Sequence, residues 1–323
     1  MLPTRKLGSA GPELTVIGFG AWAIGGPWTF GWGPQDDQDS LDAIGAALDA
    51  GINWIDTAAA YGLGHSEEVV GRAITGKRDR VLIATKCGIV WNESGKVRNN
   101  IAPESIEKEI DASLKRLGTD YIDLYQIHWP DRTTPEEKAW ETMLKLKEKG
   151  KTRSIGVSNF STDMLAACEK LGHIDSLQPP YSLVKRKVEQ SELSFCREHG
   201  IGVIPYSPMQ SGLLTGKFNR DRLAADDWRR KSGYFNDPFL SKALQFVEEL
   251  KSLAQKYEKT PAQFSIAWTL MHPSITAAIV GARNPRQVNE NIGGAGFQIE
   301  PEDMKTIEEL SKKILGDQIY TDL

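Results

Sequence analysis

Short runs of aliphatic and β-branched residues alternate along the chain with longer segments of helical periodicity, and Gly, Pro or Asn separates most of them. The runs predict eight strands, at 16–20, 53–56, 81–86, 122–128, 154–158, 176–180, 202–207 and 277–281. The periodic segments predict helices at 38–50, 66–75, 103–117, 135–149, 162–172, 189–199, 241–256 with 261–271, and 285–293. Because strands joined by helical crossovers are parallel, eight such units favour closure into a (β/α)8 barrel.

Three segments lie outside this alternation. They are the N-terminal piece, a polar stretch at 208–240 after the seventh predicted strand, and a helical segment at 301–314. A loop as long as 208–240 is usually functional. We therefore predict an α/β fold, a TIM barrel with a long loop after strand 7 and an extra C-terminal helix, forming a single domain over residues 1–323.

Composition narrows the classes of partner. The 323 residues include 39 Lys and Arg against 43 Asp and Glu, giving a formal net charge of -4 without any long basic tract. The chain therefore lacks the excess of positive charge that a dedicated nucleic-acid binder needs. We expect a cytoplasmic protein without a membrane segment, because no apolar run could span a bilayer and the first residues lack the apolar core of a secretory signal. Cys87, Cys168 and Cys196 are far apart, which predicts buried thiols rather than disulfides or metal ligands.

The first predicted strand runs into a glycine pattern that resembles a dinucleotide-binding fingerprint. Residues 18–23 read GFGAWA, and acidic residues follow at 36, 37 and 39. That fingerprint must open a helix, whereas the next segment, 24–34, contains four glycines and two prolines. A Rossmann domain is therefore not expected here.

Polar residues stand at or just after the ends of three predicted strands. Asp56 ends the second, Tyr61 lies in the loop that follows it, Lys86 ends the third, and His128 ends the fourth. In a barrel these groups would meet at the carboxyl-terminal rim, where the functional groups of such folds cluster. We expect an ion pair between Asp56 and Lys86, with the pKa of Tyr61 lowered by the neighbouring cation so that Tyr61 can exchange a proton. His128 could then donate a hydrogen bond to a carbonyl oxygen.

Several ordered motifs resemble the aldo-keto reductase family, and together they extend over essentially the whole chain. They are GINWIDTAAAYG (51–62), IATKCG (83–88), LKRLGTDYIDLYQIHWPD (114–131), GVSNF (156–160), PYSPMQSGLLTGK (205–217) and IVGARNPRQVNEN (279–291). The resemblance implies a barrel that binds NADPH without a Rossmann domain. It also implies a catalytic tetrad of Asp56, Tyr61, Lys86 and His128 that reduces aldehydes and ketones to alcohols, reversibly, by hydride transfer from nicotinamide C4.

The same resemblance implies a set of cofactor-binding residues. These are Trp22, Ser158, Asn159, Gln178, Tyr206, Ser207, Pro208, Gln210, Gly212, Leu213, Lys217, Gly281, Arg283, Gln287, Glu290 and Asn291. Within this set the resemblance assigns Tyr206 to stacking on the nicotinamide and Lys217 and Arg283 to the adenosine 2'-phosphate. NADPH is accordingly the expected cofactor, and no metal is expected.

Aromatic residues are expected to line the substrate pocket, namely Trp22, Trp28, Trp32 and Trp129, with Phe30 less firmly placed. Such a pocket suits a small carbonyl or alcohol substrate of low charge. Arg229, Arg230 and Lys231, in the long loop, are expected to be mostly solvated.

Two other functions stay open from the sequence. The chain also resembles the potassium-channel β subunits, which share this fold and bind NADPH as a regulatory ligand. Alternatively, Lys86 could act as the amine of a Schiff-base lyase.

Overall fold

Residues 2–323, which the computed structural model describes, form twelve strands and ten α-helices. The strands are β1 Thr4–Lys6, β2 Glu13–Thr15, β3 Ile17–Gly20, β4 Trp54–Asp56, β5 Leu82–Cys87, β6 Ile89–Trp91, β7 Val97–Asn99, β8 Ile122–Ile127, β9 Thr152–Ser158, β10 Ser176–Gln178, β11 Gly202–Val203 and β12 Ala278–Gly281. The helices are α1 Asp37–Asp49, α2 His65–Ala73, α3 Pro103–Leu117, α4 Glu136–Glu148, α5 Thr162–Glu169, α6 Glu192–His199, α7 Phe239–Lys256, α8 Pro261–Met271, α9 Pro285–Ile292 and α10 Pro301–Ile314.

Eight strands form one parallel sheet in the order β11-β10-β9-β8-β5-β4-β3-β12. Its two outer strands approach each other, because parallel bridges join Val203 to Ile275 and Tyr206 to Ile279. The amide of Ile279 donates to the carbonyl of Pro205 over 2.9 Å across this seam. The predicted (β/α)8 barrel is confirmed, and each predicted strand corresponds to one strand of the sheet.

Proline shortens two of these strands. The sixth was predicted to continue through Pro179 and Pro180, and the seventh through Pro205, but the regular ladders end at Gln178 and Val203. Proline has no N–H to donate, so it interrupts a ladder in the middle of a sheet. The chain continues in extended form beyond these points, which is why Tyr206 still bridges to Pro180 on one side.

Successive side chains of a barrel strand pack into two different hydrophobic layers, one inside the barrel and one between the sheet and the helices. On β4, Trp54 belongs to a cluster inside the barrel with Ala84, Leu124 and Ile279, while Ile55 faces the cluster between sheet and helices. Gly18 makes room for the Trp54 indole, since a Cβ at Gly18 would lie only 2.1 Å from it. The interior is therefore a packed core below the carboxyl-terminal rim.

The structure contains elements that the sequence pattern did not predict. The hairpin β1–β2 lies before the first barrel strand, and the hairpin β6–β7 follows Lys86. The stretch 208–240 is not featureless, because it includes 3-10 turns at Gln210–Thr215, Arg220–Arg222, Trp228–Lys231 and Gly233–Phe235. The strands of the two hairpins and the 3-10 turns of the long loop are all too short for a hydrophobic period to be recognised in the sequence.

Three further features concern the first loop, the cysteines and the helices. A short 3-10 turn, Ala23–Gly25, follows β3 where a Rossmann domain would have a helix. The three cysteines are buried and free. Among the described residues, no helix combines the length and apolar character needed to cross a membrane.

Candidate active site

Asp56 and Lys86 form a buried ion pair at the rim of the barrel. Side chains alternate along a strand, so Asp56 points to the same side as Trp54, and Lys86 to the same side as Ala84. The Nζ of Lys86 lies 2.7 Å from Oδ1 of Asp56, and the two residues are 1% and 2% exposed. Gln178 fixes the other carboxylate oxygen through a 2.8 Å hydrogen bond. The predicted pair is thus present, with the carboxylate held from two sides.

The ammonium of Lys86 has three acceptors. Besides Asp56, it donates to the carbonyl of Thr57 over 2.8 Å and to the hydroxyl of Tyr61 over 3.3 Å. A lysine reacts as a nucleophile only through a free, unprotonated amine. Burial lowers the pKa of Lys86 and Asp56 opposes that shift, so it is the three filled hydrogen-bonding positions that disfavour the Schiff-base lyase alternative.

The Tyr61 loop is held against the loop after β3 by two glycines. A Cβ on Gly62 would lie 2.0 Å from the carbonyl oxygen of Gly25, and Gly62 also has φ of 62°. Two backbones can approach this closely only when neither carries a side chain. The carbonyl of Tyr61 accepts from the amide of Ser66 over 3.1 Å at the start of α2. The position of Tyr61 therefore depends on contacts with both flanking segments.

His128 follows β8 and faces Tyr61. The two ring centroids lie 5.6 Å apart at an interplanar angle of 79°. The backbone of His128 is hydrogen-bonded on both sides. Its N–H donates to the carbonyl of Cys87 over 2.8 Å, and its carbonyl accepts from the side-chain amide of Asn159 over 3.0 Å. The four residues predicted to form a tetrad converge around one point of the rim.

Burial dominates the ionisation of this cluster. Burial raises the pKa of Tyr61 well above its usual value, and the negative charge of Asp56 raises it further. The expectation of a lowered Tyr61 pKa is wrong in direction, because burial of the phenol is the largest cause and raises the pKa. Burial likewise lowers the pKa of His128 well below its usual value, and Lys86 acts in the same direction. At neutral pH the site therefore presents a neutral phenol and a neutral imidazole.

A cavity of about 680 Å³ opens above these residues. Its lining includes Asp56, Tyr61 and His128, and it also includes the basic residues Lys217, Arg283 and Arg286. A pocket of several hundred Å³ matches the size of small-molecule and cofactor sites.

Most residues predicted to bind a cofactor line this cavity. They are Trp22, Asn159, Gln178, Tyr206, Ser207, Pro208, Gly212, Lys217, Gly281, Arg283, Gln287, Glu290 and Asn291. Among them, the hydroxyl of Tyr206 donates to Oδ1 of Asn159 over 2.9 Å, which fixes the aromatic ring at the cavity wall. The side-chain amide of Asn291 donates to the carbonyl of Gly281 over 3.1 Å.

Three predicted cofactor residues do not line the cavity. Ser158 is fully buried and donates to the carbonyl of Gln178 over 2.7 Å. Gln210 accepts from the hydroxyl of Ser182 over 3.1 Å, and Leu213 is fully buried in the core. Of the three, Ser158 bonds to residues that do face the cavity, since it also accepts from the side-chain amide of Asn159 over 2.9 Å.

The segment after β11 has an unusual backbone. Ser207, Gln210 and Ser211 have positive φ, as does Gly212. A Cβ on Gly212 would meet no atom closer than 3.9 Å, so the cavity is open beside it. Backbone amides in such turns can form anion-binding concavities. In this segment the amides of Gln210 and Gly212 already donate to the carbonyls of Ser207 and Met209. The basic side chains that line the same cavity carry the charge that suits a phosphate.

The basic side chains already have partners. Lys217 pairs with Glu290 at 3.3 Å, and Glu290 also lies 3.8 Å from Arg286. The guanidinium of Arg283 donates to the side chain of Gln35 over 2.6 Å and to the carbonyl of Pro34. The loop before α1 thus orients Arg283.

The predicted aromatic residues all line the cavity, and sequence reasoning missed one that joins them. Trp228, in the long loop, lies 5.5 Å from Trp22 and 6.4 Å from Trp32 between ring centroids. The sequence offered one indication of this residue, a single Trp within an otherwise polar loop. Ile89, Val97 and Asn99 of the hairpin β6–β7 also line the cavity and were missed, because that hairpin was not predicted.

One residue of the basic cluster in the long loop, Arg229, is less solvated than expected, whereas Lys231 is exposed as predicted. Arg229 is only 14% exposed in its side chain and pairs with Asp227 at 2.6 Å. Its guanidinium lies 4.5 Å from the centroid of Trp32 and donates to the carbonyl of Ser211 over 3.1 Å. The Arg229 cation lies over the face of the Trp32 ring and stabilises the aromatic wall of the cavity. This corrects the expectation that Arg229 would be mostly solvated.

Comparisons with known proteins agree with this geometry. A family model described as the Aldo/keto reductase family matches residues 16–312. Aldo-keto reductase YhdN of Bacillus subtilis (strain 168) is 39% identical over 318 residues, 97% of this chain and 95% of that protein. An Escherichia coli (strain K12) protein named NADH-specific methylglyoxal reductase is 36% identical over 323 residues, covering 95% of this chain and 98% of its own. The solved structure of a glycerol dehydrogenase from Gluconobacter oxydans superposes with a TM-score of 0.89 at 37% identity, covering 97% and 96% of the two chains.

Proposed function

Because the chain belongs to the aldo/keto reductase family of nicotinamide-dependent oxidoreductases, we propose that it reduces aldehydes and ketones to alcohols, reversibly, with NADPH. The observation that carries this proposal is the contact series from Asp56 through Lys86 to the Tyr61 hydroxyl, with His128 facing the same ring. Of these residues, Asp56, Tyr61 and His128 line a cavity of about 680 Å³, a volume in the range of small-molecule and cofactor sites.

A bound nicotinamide nucleotide supplies the hydride to the carbonyl carbon. The hydroxyl of Tyr61 donates its proton to the substrate oxygen, and its raised pKa keeps that proton available at neutral pH. Lys86, 3.3 Å away, stabilises the phenolate that this transfer leaves behind, and Asp56 holds Lys86 in place. His128, neutral because of its lowered pKa, donates an N–H to the same oxygen.

We propose NADPH over NADH on the basis of charge. Lys217, Arg283 and Arg286 line the same cavity as Tyr61, and cations in a cofactor cavity favour an added phosphate. The pairing of Lys217 with Glu290 opposes this preference, and the Escherichia coli relative is named as NADH-specific. The preference therefore depends most on Arg283, which has no carboxylate partner within ion-pair distance among residues 2–323.

We propose a small carbonyl substrate of low charge. The cavity wall includes the aromatic side chains of Trp28, whose ring centroid lies 6.2 Å from that of Tyr61, and of Trp129, the residue after His128. Its polar side chains include the uncharged amides of Asn99, Asn159 and Gln178. Such a wall favours apolar surface over multiple charges. The named activities of the relatives point to small carbonyl compounds and polyols, and these belong in any substrate panel.

The test is the consumption of NADPH with a panel of aliphatic and aromatic aldehydes, methylglyoxal and ketones, and the reverse reaction with glycerol. Tyr61→Phe should lower carbonyl reduction by orders of magnitude while NADPH binding stays close to that of the unaltered protein. Tyr121→Phe is the matched control, because Tyr121 precedes β8 at the end of the barrel opposite to His128. Equal turnover in Tyr61→Phe and the unaltered protein would refute the role of Tyr61. Tight NADPH binding without turnover of any substrate would instead favour a regulatory module.

A further inference from the structure

A carboxylate from the helical layer reaches the backbone next to Lys86. Glu109 lies on α3, and its Oε2 accepts a hydrogen bond from the amide of Gly88 over 2.9 Å. Its Oε1 accepts from the hydroxyl of Ser105 over 2.9 Å. Gly88 has φ of 90°, and a Cβ there would lie 2.9 Å from Ile101, so the peptide approaches the segment before α3 closely. Glu109 thus contacts the proposed site from outside the barrel, through the main chain.

The peptide unit that joins Cys87 to Gly88 is hydrogen-bonded at both of its ends. Its N–H donates to Glu109, and its C=O, on Cys87, accepts from the amide of His128 over 2.8 Å. Lys86 is the residue immediately before this unit. Hydrogen bonds arranged in a chain polarise one another, and an ionised acceptor makes the stronger bond. The state of Glu109 therefore bears on the backbone of both Lys86 and His128.

The surroundings of Glu109 give its charge little compensation. Arg116, on the same helix, is engaged by Glu67 of α2, with Nε and Oε2 2.6 Å apart. Cys87 of β5 and Tyr125 of β8 also face Glu109 and carry no positive charge. Between residues 2 and 323, no cation lies within ion-pair distance of the Glu109 carboxylate. Burial raises the pKa of Glu109 to about 7, with Glu67 acting in the same direction and Ser105, Gly88 and Arg116 opposing it.

From this geometry, and resting on the proposed reductase function, we infer that Glu109 is a positioning residue that holds Lys86 and His128 in place through the Cys87–Gly88 peptide. It does not touch substrate or cofactor. Above about pH 7 the carboxylate is ionised and the bond to the Gly88 amide is at its strongest. Below that pH the group is protonated, the charge is lost and the bond weakens. The site should accordingly be better ordered on the alkaline side.

The kinetic experiment compares Glu109→Gln and Glu109→Ala in aldehyde reduction between about pH 6 and 8. Glu109→Ala removes the acceptor, and kcat should fall on the order of 10-fold, while the Kd for NADPH stays within about 2-fold. Glu109→Gln keeps an acceptor oxygen without the charge. It should restore most of the activity at pH 6 but lack the rise toward pH 8 that the unaltered protein shows. Glu107→Gln, exposed on the same helix, is the matched control and should show that rise.

A second readout does not depend on turnover. In the unaltered protein, the NMR amide shifts of Gly88 and His128 should titrate together with a midpoint of about 7, the pKa of Glu109, and in Glu109→Gln they should not. Identical pH profiles and identical titrations in Glu109→Gln and the unaltered protein would overturn the inference. If the unaltered protein turns over no carbonyl substrate, the proposed function fails, and the amide titration still decides whether Glu109 acts on this peptide.

Discussion

The Asp56 carboxylate and the Lys86 ammonium lie 2.7 Å apart with both side chains almost completely buried. Burial is the largest cause that raises the pKa of the Tyr61 phenol, and the charge of Asp56 raises it further. The role of Lys86 is therefore better described as stabilising a phenolate while it forms than as lowering the resting pKa of Tyr61.

Removing one member of this pair should affect both stability and turnover. Lys86→Met leaves the Asp56 carboxylate buried without its partner, which should lower the free energy of unfolding by about 3 to 5 kcal/mol. Reduction should fall by about 100-fold or more, because the phenolate of Tyr61 loses its stabilising cation. Urea unfolding and steady-state kinetics measure the two effects.

The double variant Asp56→Asn with Lys86→Met separates them. It should regain a large part of the lost stability, since no uncompensated charge remains, but it should not regain turnover. Recovery of turnover in the double variant would contradict the proposed role of Lys86.

The raised pKa of Tyr61 predicts a particular pH dependence. A group whose pKa lies above its usual value of 10 stays protonated through neutral and mildly alkaline pH, so the proton donor is not lost there. We expect kcat for aldehyde reduction at saturating cofactor to show no fall between about pH 7.5 and 9. A fall with a midpoint in that range, absent from the residual activity of Tyr61→Phe, would mean that Tyr61 ionises far more easily than its burial indicates.

Cofactor preference should depend on Arg283. Arg283→Ala should weaken NADPH binding by about 10-fold and NADH binding much less, since a charge-assisted bond to the extra phosphate would be lost. Fluorescence titration of both cofactors measures the ratio. Arg197→Ala, on the exposed surface of α6, is the control for a general loss of charge. An unchanged preference in Arg283→Ala would argue against this role.

The size of the substrate pocket should depend on Trp228. This side chain packs against Trp22 and against Phe235 of its own loop, with ring centroids 5.5 and 6.0 Å apart. Trp228→Ala should raise KM for an aromatic aldehyde by about 10-fold, because the apolar wall loses one of its rings. Trp228→Phe should retain most of the affinity. Equal KM values for the two variants and the unaltered protein would place Trp228 outside the substrate contacts.

Some of the site could be predicted residue by residue. Asp56, Lys86 and His128 end apolar strands of a βα repeat, and parallel strands bring their carboxyl ends to one rim. Trp228 and the hairpin β6–β7 could not be predicted in this way. They lie in segments where neither the two-residue period of a strand nor the 3.6-residue period of a helix is long enough to be recognised.

The sequence by itself determined the barrel, the order of its strands and the residues that meet at its rim, because these follow from local periodicity and from the handedness of βα units. Only the tertiary structure decided the ionisation of Tyr61 and the link from Glu109 to the Cys87–Gly88 peptide. Both depend on burial and on which groups from distant segments come within hydrogen-bonding distance, and a linear pattern encodes neither quantity.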